Sequence, residues 1–250
     1  MVVLGRLLAA AATCAVAAAL VPAATAAPAP QAASPQVAAL PTAVRLPAVR
    51  TIAVGSNPID VVISQKRGNA YVANDGSVSV VNLTTHRETA EFGTGNFHGQ
   101  NAIALARYET QGYIVNLQKP VVTIFDTRSY KVIGHIKLPA AGQDVTTTRA
   151  PIGERAYVAL LNNKILAIST LRAKVVATIT LPQQAQTIVP RPGGRQLWAG
   201  GITSGVVYAI STSTNRVVRS IATTQGGPVS SMAFSPDGRT LWVAGLGGIT

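Results

Sequence analysis

The sequence predicts an all-β protein of the β-propeller class, built from four-stranded antiparallel blades. The first observation is an aromatic residue inside a short apolar run, which returns every 41 to 44 residues. The second is a polar turn followed by a basic residue, which keeps the same interval. Two independent landmarks with one such period indicate a repeat architecture. The aromatic positions are Tyr71, Tyr113, Tyr157, Trp198 and Trp242, and the turns are 82–87, 126–131, 169–174 and 211–216.

Each period contains four short runs of β-favouring residues separated by turn residues. In the first period the runs are 60–64, 69–73, 77–83 and 88–92. The third run of every period is rich in β-branched residues, and no stretch after residue 26 has the spacing of an amphipathic helix. Four strands in about 43 residues is the size of one propeller blade.

The repeats predict about four and a half blades, in an open arc or an incomplete ring. Four full repeats run from Pro58 to about Ala222, and a fifth supplies strands at 230–235 and 240–244. Residues 49–54 match the fourth strand of a blade, although only a linker precedes them. We therefore expect a repeat domain at 49–250 that is truncated at its C-terminus and self-associates through open blade edges.

The first 26 residues have the pattern of a secretory signal peptide. Arg6 gives the first residues a positive charge, an apolar run covers 7–21, and Ala24-Thr25-Ala26 forms a small-x-small cleavage site. The run is shorter than the roughly 20 residues that span a bilayer, so we expect no transmembrane segment after cleavage; a permanent anchor is the alternative. An Ala/Pro-rich linker follows at 27–48. We expect a secreted, periplasmic or cell-envelope protein.

Composition excludes several kinds of site and favours anionic partners. Cys14 is the only cysteine and would leave with the signal peptide, so a disulfide framework and a cysteine zinc site are excluded. Lys and Arg number 21 against 9 Asp and Glu. Such a balance favours cell-wall polymers, acidic polysaccharide, nucleic acid or lipid headgroups. The alternative is a generally basic surface, because the basic residues are spread singly along the chain.

A polar residue enters the innermost strand of every repeat, where propeller blades converge on the central channel. Carboxylates, amides and hydroxyls at a channel mouth suit a hard cation or a sugar, although a water-filled mouth also needs polar residues. The loop 93–99 carries His98 toward the same mouth, where it is a candidate acid–base group or metal ligand, or simply a loop residue. The candidate ligand-binding residues are Asp60, His98, Gln100, Asn101, Gln143, Asp144, Gln186 and Ser231.

Motifs of nucleophilic catalysis, nucleotide binding and covalent haem are absent from the sequence. The other two histidines, His86 and His135, fall in an outer turn and an outer strand, so the three are not expected to meet. We therefore expect no cofactor and no zinc site.

The repeat resembles the YVTN-type propeller repeat of YncE-like and surface-layer proteins. The blocks that carry the resemblance are 51–58, 70–74 and Phe234-Ser235-Pro236-Asp237-Gly238-Arg239. The third and fourth repeats depart from it, because 149–153 and 191–194 replace the Ser-Pro-Asp-Gly turn. The resemblance implies the propeller fold and covers about 49–250.

Three functions remain open at this point. The sequence favours a non-catalytic binding or scaffold propeller outside the cytoplasm, with an unknown ligand. The alternatives are an enzyme of the lactonase or quinoprotein type that uses the channel mouth, and a polyanion- or nucleic-acid-binding propeller. The position of the arginines distinguishes the polyanion-binding function from the other two, because an anion-binding surface requires arginines to gather on one face.

Overall fold

The computed structural model describes residues 50–95, 98–106, 108–150, 153–224, 226–245 and 248–249, without the side chains of 100, 101 and 150. The predicted signal peptide and linker, at 1–26 and 27–48, lie outside the described residues. All the strands belong to one compact unit, Ile52–Thr250. In this unit the predicted all-β fold is confirmed: four blades have four strands, and the fifth has three.

Each blade is an antiparallel sheet whose strands follow one another in chain order. The first blade comprises β1 (Asp60–Ser64), β2 (Asn69–Ala73), β3 (Ser77–Asn82) and β4 (Arg87–Gly93). The second comprises β5 (Gln100–Ala106), β6 (Gln111–Asn116), β7 (Val121–Asp126) and β8 (Lys131–Lys137). The third comprises β9 (Gly142–Ala150), β10 (Gly153–Leu160), β11 (Lys164–Ser169) and β12 (Lys174–Thr180). The fourth comprises β13 (Ala185–Pro190), β14 (Gln196–Gly201), β15 (Val206–Ser211) and β16 (Arg216–Ala222). The fifth comprises β17 (Val229–Phe234), β18 (Leu241–Gly245) and β19 (Gly248–Ile249).

The polar-turn landmark is the connection between the third and fourth strands of a blade. Asn82 Oδ1 accepts hydrogen bonds from the backbone N–H groups of Thr84 and Thr85, and Asp126 Oδ1 does the same for Arg128 and Ser129. A residue with positive φ then precedes the basic residue in each of the first four blades, namely His86, Tyr130, Ala173 and Asn215. Short polar side chains cap such turns by bonding the backbone two and three residues on. This local chemistry explains why the landmark recurs.

The repeated aromatic residues occupy equivalent positions in the second strands, as the period predicts. Tyr71 is fully buried against Ile103 and Phe125 of the next blade, and Tyr113 and Tyr157 are buried in the same way between later blades. Large aromatic rings dominate the burial energy of such interfaces. The core of the protein therefore lies between blades.

The position of Trp242 in the repeat predicts a ring packed between blades, as for the other four aromatic residues, and the structure corrects this prediction. The Trp242 side chain is 55% exposed, whereas Trp198, one repeat earlier, packs edge-on against Phe234. The reason is that no further blade lies against the Trp242 face in the described part of the chain.

Successive inner strands pack side by side in the order β1, β5, β9, β13 and β17. Among the described residues, β17 and β1 share no comparable interface. The expectation that 49–54 forms a fourth strand is wrong for the described residues 50–54: Ile52 makes only an isolated bridge. Ile52 and Val54 instead cover apolar residues of the first blade, among them Ala70 and Val72.

Candidate functional site

Antiparallel strands divide the connections of the propeller into two faces. The turns after the first and third strands of each blade form what we call the lower face. The turns after the second and fourth strands form the upper face, where the chain also enters each inner strand. The predicted channel-mouth residues belong to the upper face.

Asp60 lies at the start of β1 and connects the first two blades. Its Oδ2 atom accepts a hydrogen bond from the backbone N–H of Ile103 in β5 at 3.0 Å. Its Oδ1 atom accepts one from the N–H of Val61 at 2.9 Å. The carboxylate thus pairs a backbone donor on the free edge of the neighbouring inner strand, which stabilises the blade interface.

Asp144 has the same arrangement between the third and fourth blades. Its two oxygens accept hydrogen bonds from Val145 N–H and Ile188 N–H, both at 2.8 Å. Burial raises the pKa of Asp144 to about 6, and the negative charge of Asp60 acts in the same direction. The two backbone donors oppose this shift because they favour the ionised carboxylate.

His98 pairs with Asp75, which the sequence shows only as a turn residue. The His98 Nδ1 atom lies 3.4 Å from Asp75 Oδ2, and the His98 side chain is 69% exposed. The other Asp75 oxygen accepts the N–H of Gly99 at 2.8 Å, which connects the turn after β2 to the residue before β5. An exposed pair of this kind contributes little stability. The contacts of His98 therefore do not join it to Asp60 or Asp144.

The remaining candidates stand at corresponding entries of the other inner strands. Gln143, Gln186 and Ser231 are partly buried in β9, β13 and β17. Gln100 and Asn101 begin β5, and their side chains lie outside the described residues. The described backbone thus places a polar residue near the start of the inner strand in each blade.

Sequence reasoning missed Gln183, whose side chain makes several hydrogen bonds on the upper face of the fourth blade. Its Oε1 atom accepts the N–H groups of Thr203 and Ser204, and its Nε2 atom donates to the Tyr208 hydroxyl at 3.0 Å. These bonds tie the connection before β13 to the turn before β15. Gln183 therefore has a structural role in the blade. The one feature of the sequence that could have indicated it is its position just before an inner strand.

Within the described residues, no group of three or more His, Cys, Asp or Glu side chains has the arrangement of a metal site. No helix of the described part of the chain is long and apolar enough to cross a membrane.

The lower face gathers most of the basic side chains from Ile52 onward. Each lies in a lower-face turn or within three residues of one. They are Lys66, Arg67, Arg87, Arg128, Lys131, Arg149, Arg155, Arg172, Lys174, Arg191, Arg195, Arg216 and Arg239. The acidic side chains of this face are far fewer: Glu88, Glu109, Asp126, Glu154 and Asp237.

The upper face, in contrast, carries no excess of basic over acidic side chains among its described residues. Its basic residues are Lys119, Lys137 and Lys164, and its acidic residues are Asp60, Asp75, Glu91 and Asp144. In the described part of the chain, none of the lower-face arginines forms an ion pair with a carboxylate. The propeller therefore carries a strong positive charge at one end.

The described residues of the lower face line two grooves. One of about 720 Å³ is bordered by turns of the first three blades, with Lys66, Arg155 and Arg172 in its lining. The other, of about 870 Å³, lies at the fourth and fifth blades and is lined by Arg191 and Arg195 among others. Both grooves thus place arginine side chains around an open space.

The fold places this protein among the β-propellers, and comparisons with known proteins agree. No protein-family model matches the chain. A relative in Mycobacterium tuberculosis, the seven-bladed beta-propeller protein Rv1057, is 28% identical over 154 residues, which is 59% of this chain and 36% of the relative. The chain thus spans about a third of that relative's length.

Solved structures show the same fold at low sequence identity. Kuenenia stuttgartiensis hydrazine synthase has a TM-score of 0.70 at 22% identity, covering 79% of this chain and 58% of that one. The Cps50 (Swd1) beta-propeller domain of Myceliophteria thermophila has a TM-score of 0.64 at 16% identity, covering 76% and 62%. These likenesses concern the fold alone.

Proposed function

We propose that this protein is an exported, non-catalytic β-propeller that binds an anionic polymer of the cell envelope through its lower face. The observation that carries the proposal is the segregation of arginine to that face. Arginine suits the role because its planar guanidinium pairs with carboxylate and phosphate through two parallel hydrogen bonds. The YVTN-type repeat and the signal sequence support the same assignment, since both point to an extracytoplasmic propeller.

The upper-face carboxylates support a non-catalytic assignment. Asp60 and Asp144 each use both oxygens to accept backbone N–H groups, one of them from the next blade. A carboxylate engaged in this way positions strands and has little freedom to attack or to bind a substrate. Their role is to hold the inner strands together.

A binding experiment with two matched variants tests the proposal. The full chain is titrated with polygalacturonate, a carboxylate-bearing polysaccharide, over a range of salt concentrations. Because binding releases counterions, the affinity of the wild type falls steeply with salt, with a slope set by the number of ionic contacts. Arg172→Gln combined with Arg216→Gln removes two lower-face charges and reduces that slope. Lys137→Gln combined with Lys164→Gln removes two upper-face charges and leaves it unchanged.

Two outcomes of this experiment would contradict the proposal. Absence of binding to polygalacturonate and to inorganic polyphosphate alike would refute the proposal. Equal losses in the two double variants would refute the assignment to the lower face, because net charge alone would then explain the binding.

A further inference from the structure

The turn between β5 and β6 has an unusual backbone. Tyr108 and Glu109 both have positive φ, at 56° and 66°. The corresponding turns of the first, fourth and fifth blades place glycine in this conformation, namely Gly68, Gly193 with Gly194, and Gly238. A bulky residue with positive φ is a rare and strained choice. Strain of this kind persists only where the surroundings hold it, and it clusters at functional sites.

Glu109 accepts four of the hydrogen bonds that hold this turn in place. Its Oε2 atom accepts the Ser64 hydroxyl at 2.7 Å and the N–H of Lys66 at 3.0 Å. Its backbone oxygen accepts the Thr127 hydroxyl at 2.7 Å and Arg67 Nε at 3.3 Å. The first blade and the outer part of the second thus fix the backbone from two sides.

The consequence of this conformation is an aromatic ring held out into solvent. Tyr108 is 64% exposed, and the guanidinium carbon of Arg149 lies 4.4 Å from the centroid of its ring. A cation at that distance from an aromatic face is attracted to it, so Arg149 orients the ring. The ring has an apolar body and a polar tip, which suits contact with a ligand that has both kinds of surface.

The exposed ring borders the 720 Å³ groove of the lower face. Lys66 and Arg172 are exposed in the same lining, and Arg155 is held there by a hydrogen bond to Asn215 at 3.2 Å. Leu171, 75% exposed, adds an apolar surface. The acidic residue of the lining, Glu154, receives a hydrogen bond from Thr170 on its backbone oxygen at 3.1 Å.

We propose that this groove binds one acidic sugar unit of an anionic polysaccharide. The apolar face of the sugar ring packs on Tyr108, and its carboxylate or phosphate pairs with Lys66, Arg155 and Arg172. The inference deepens the proposed function and rests on it. Single-stranded nucleic acid is the less favoured ligand, because successive bases stack on several aromatic rings. Among the described residues, the groove lining contains a single aromatic ring, Tyr108.

The test compares three changes in the full chain. Tyr108→Asn removes the ring and keeps a residue that tolerates positive φ, whereas Tyr108→Phe keeps the ring. Lys66→Gln with Arg172→Gln removes two groove charges, and Arg216→Gln with Arg239→Gln removes two charges elsewhere on the same face. The probes are a short oligogalacturonate, a sugar-1-phosphate polymer, the neutral maltohexaose and an oligothymidylate.

Tyr108→Asn lowers the affinity for the acidic sugar probes about tenfold, the size of one aromatic stacking contact, with no change in the salt slope. Tyr108→Phe binds like the wild type. The groove pair loses more affinity than the control pair, and the two acidic sugar probes show whether carboxylate or phosphate is preferred.

Equal losses in the two charge pairs together with an unaffected Tyr108→Asn variant would overturn the sugar site and leave the lower-face proposal standing. If oligothymidylate binds more tightly than the acidic sugar probes, and Tyr108→Asn weakens its binding too, the sugar site is overturned in favour of a nucleic-acid site. A wild type that binds none of the anionic probes would overturn the proposed function as well.

Discussion

Asp144 joins the third blade to the fourth, because its Oδ2 atom accepts the backbone N–H of Ile188 at 2.8 Å. Asp60 has the same relationship to Ile103, two blades earlier. The inner strands run past one another with free edges, so a carboxylate near the start of one strand pairs a backbone donor of the next. On the upper face, this arrangement gives the two carboxylates a structural role between neighbouring blades.

The first prediction concerns that connection. Asp144→Ala leaves the N–H of Ile188 without its acceptor in a partly buried place, so we expect a loss of about 1–3 kcal/mol in the free energy of unfolding. Glu88→Ala, which removes an exposed carboxylate from the outer strand β4, is the control and changes it little. Chemical denaturation measures both. A loss in Asp144→Ala no larger than in Glu88→Ala would contradict the structural role.

The second prediction is a pH dependence of stability. The pKa of Asp144 is raised from 3.8 to about 6 in the folded protein, so the folded state binds its proton more tightly than the unfolded state does. The contribution of Asp144 is then greatest below about pH 4 and is lost as the pH rises through about 6. We expect the stability of the wild type relative to Asp144→Asn to fall across that window. A difference independent of pH between 4 and 7 would contradict it.

The third prediction uses two equivalent tryptophans. Trp198 packs against Phe234, whereas Trp242 is 55% exposed. Trp198→Ala should cost about 3 kcal/mol, because it leaves a cavity between blades, and Trp242→Ala should cost less than about 1 kcal/mol. Thermal or chemical denaturation of the two variants gives the comparison. Similar costs would mean that both rings are equally covered in solution.

The fourth prediction is self-association through the exposed blade faces. The Trp242 face corresponds to the Trp198 face, and β1 exposes Val61 and Ile63 at the positions where β5 buries Ile103 and half-buries Leu105. The two faces are therefore complementary halves of a blade interface, and exposed apolar faces promote association. We expect concentration-dependent oligomers in light scattering, weakened by Trp242→Lys. A monomer at all concentrations would argue against it.

The fifth prediction is export with cleavage near Ala26. Intact mass of the protein recovered from the envelope or the medium should place the N-terminus near residue 27. We expect this cleavage because the first 26 residues have the pattern of a general secretory signal peptide. Retention of Met1 in a cytoplasmic protein would contradict both the leader and the envelope assignment.

Much of the candidate site escaped sequence reasoning for identifiable reasons. Asp60 and Asp144 were recognised as polar entries to inner strands, but their bonds to Ile103 and Ile188 join residues more than 40 positions apart. The sequence around Tyr108 does not indicate a positive φ. In the equivalent turns of three other blades a glycine indicates it, and this turn has none. The hydrogen bonds that impose it come from Ser64, Lys66, Arg67 and Thr127, on either side in the chain.

The sequence by itself determined the repeat, the four strands of each of the first four blades and the turns between the third and fourth strands. These features depend on neighbouring residues: β-branched runs favour strands, and an Asn or Asp side chain caps its own turn. Only the tertiary structure decided which face carries the charge and which tryptophan is covered. The arginines are spread singly along the chain, and they meet because antiparallel strands bring alternate turns to the same end of every blade. Trp242 has the same local sequence context as Trp198, and its exposure differs because burial depends on the blade that follows.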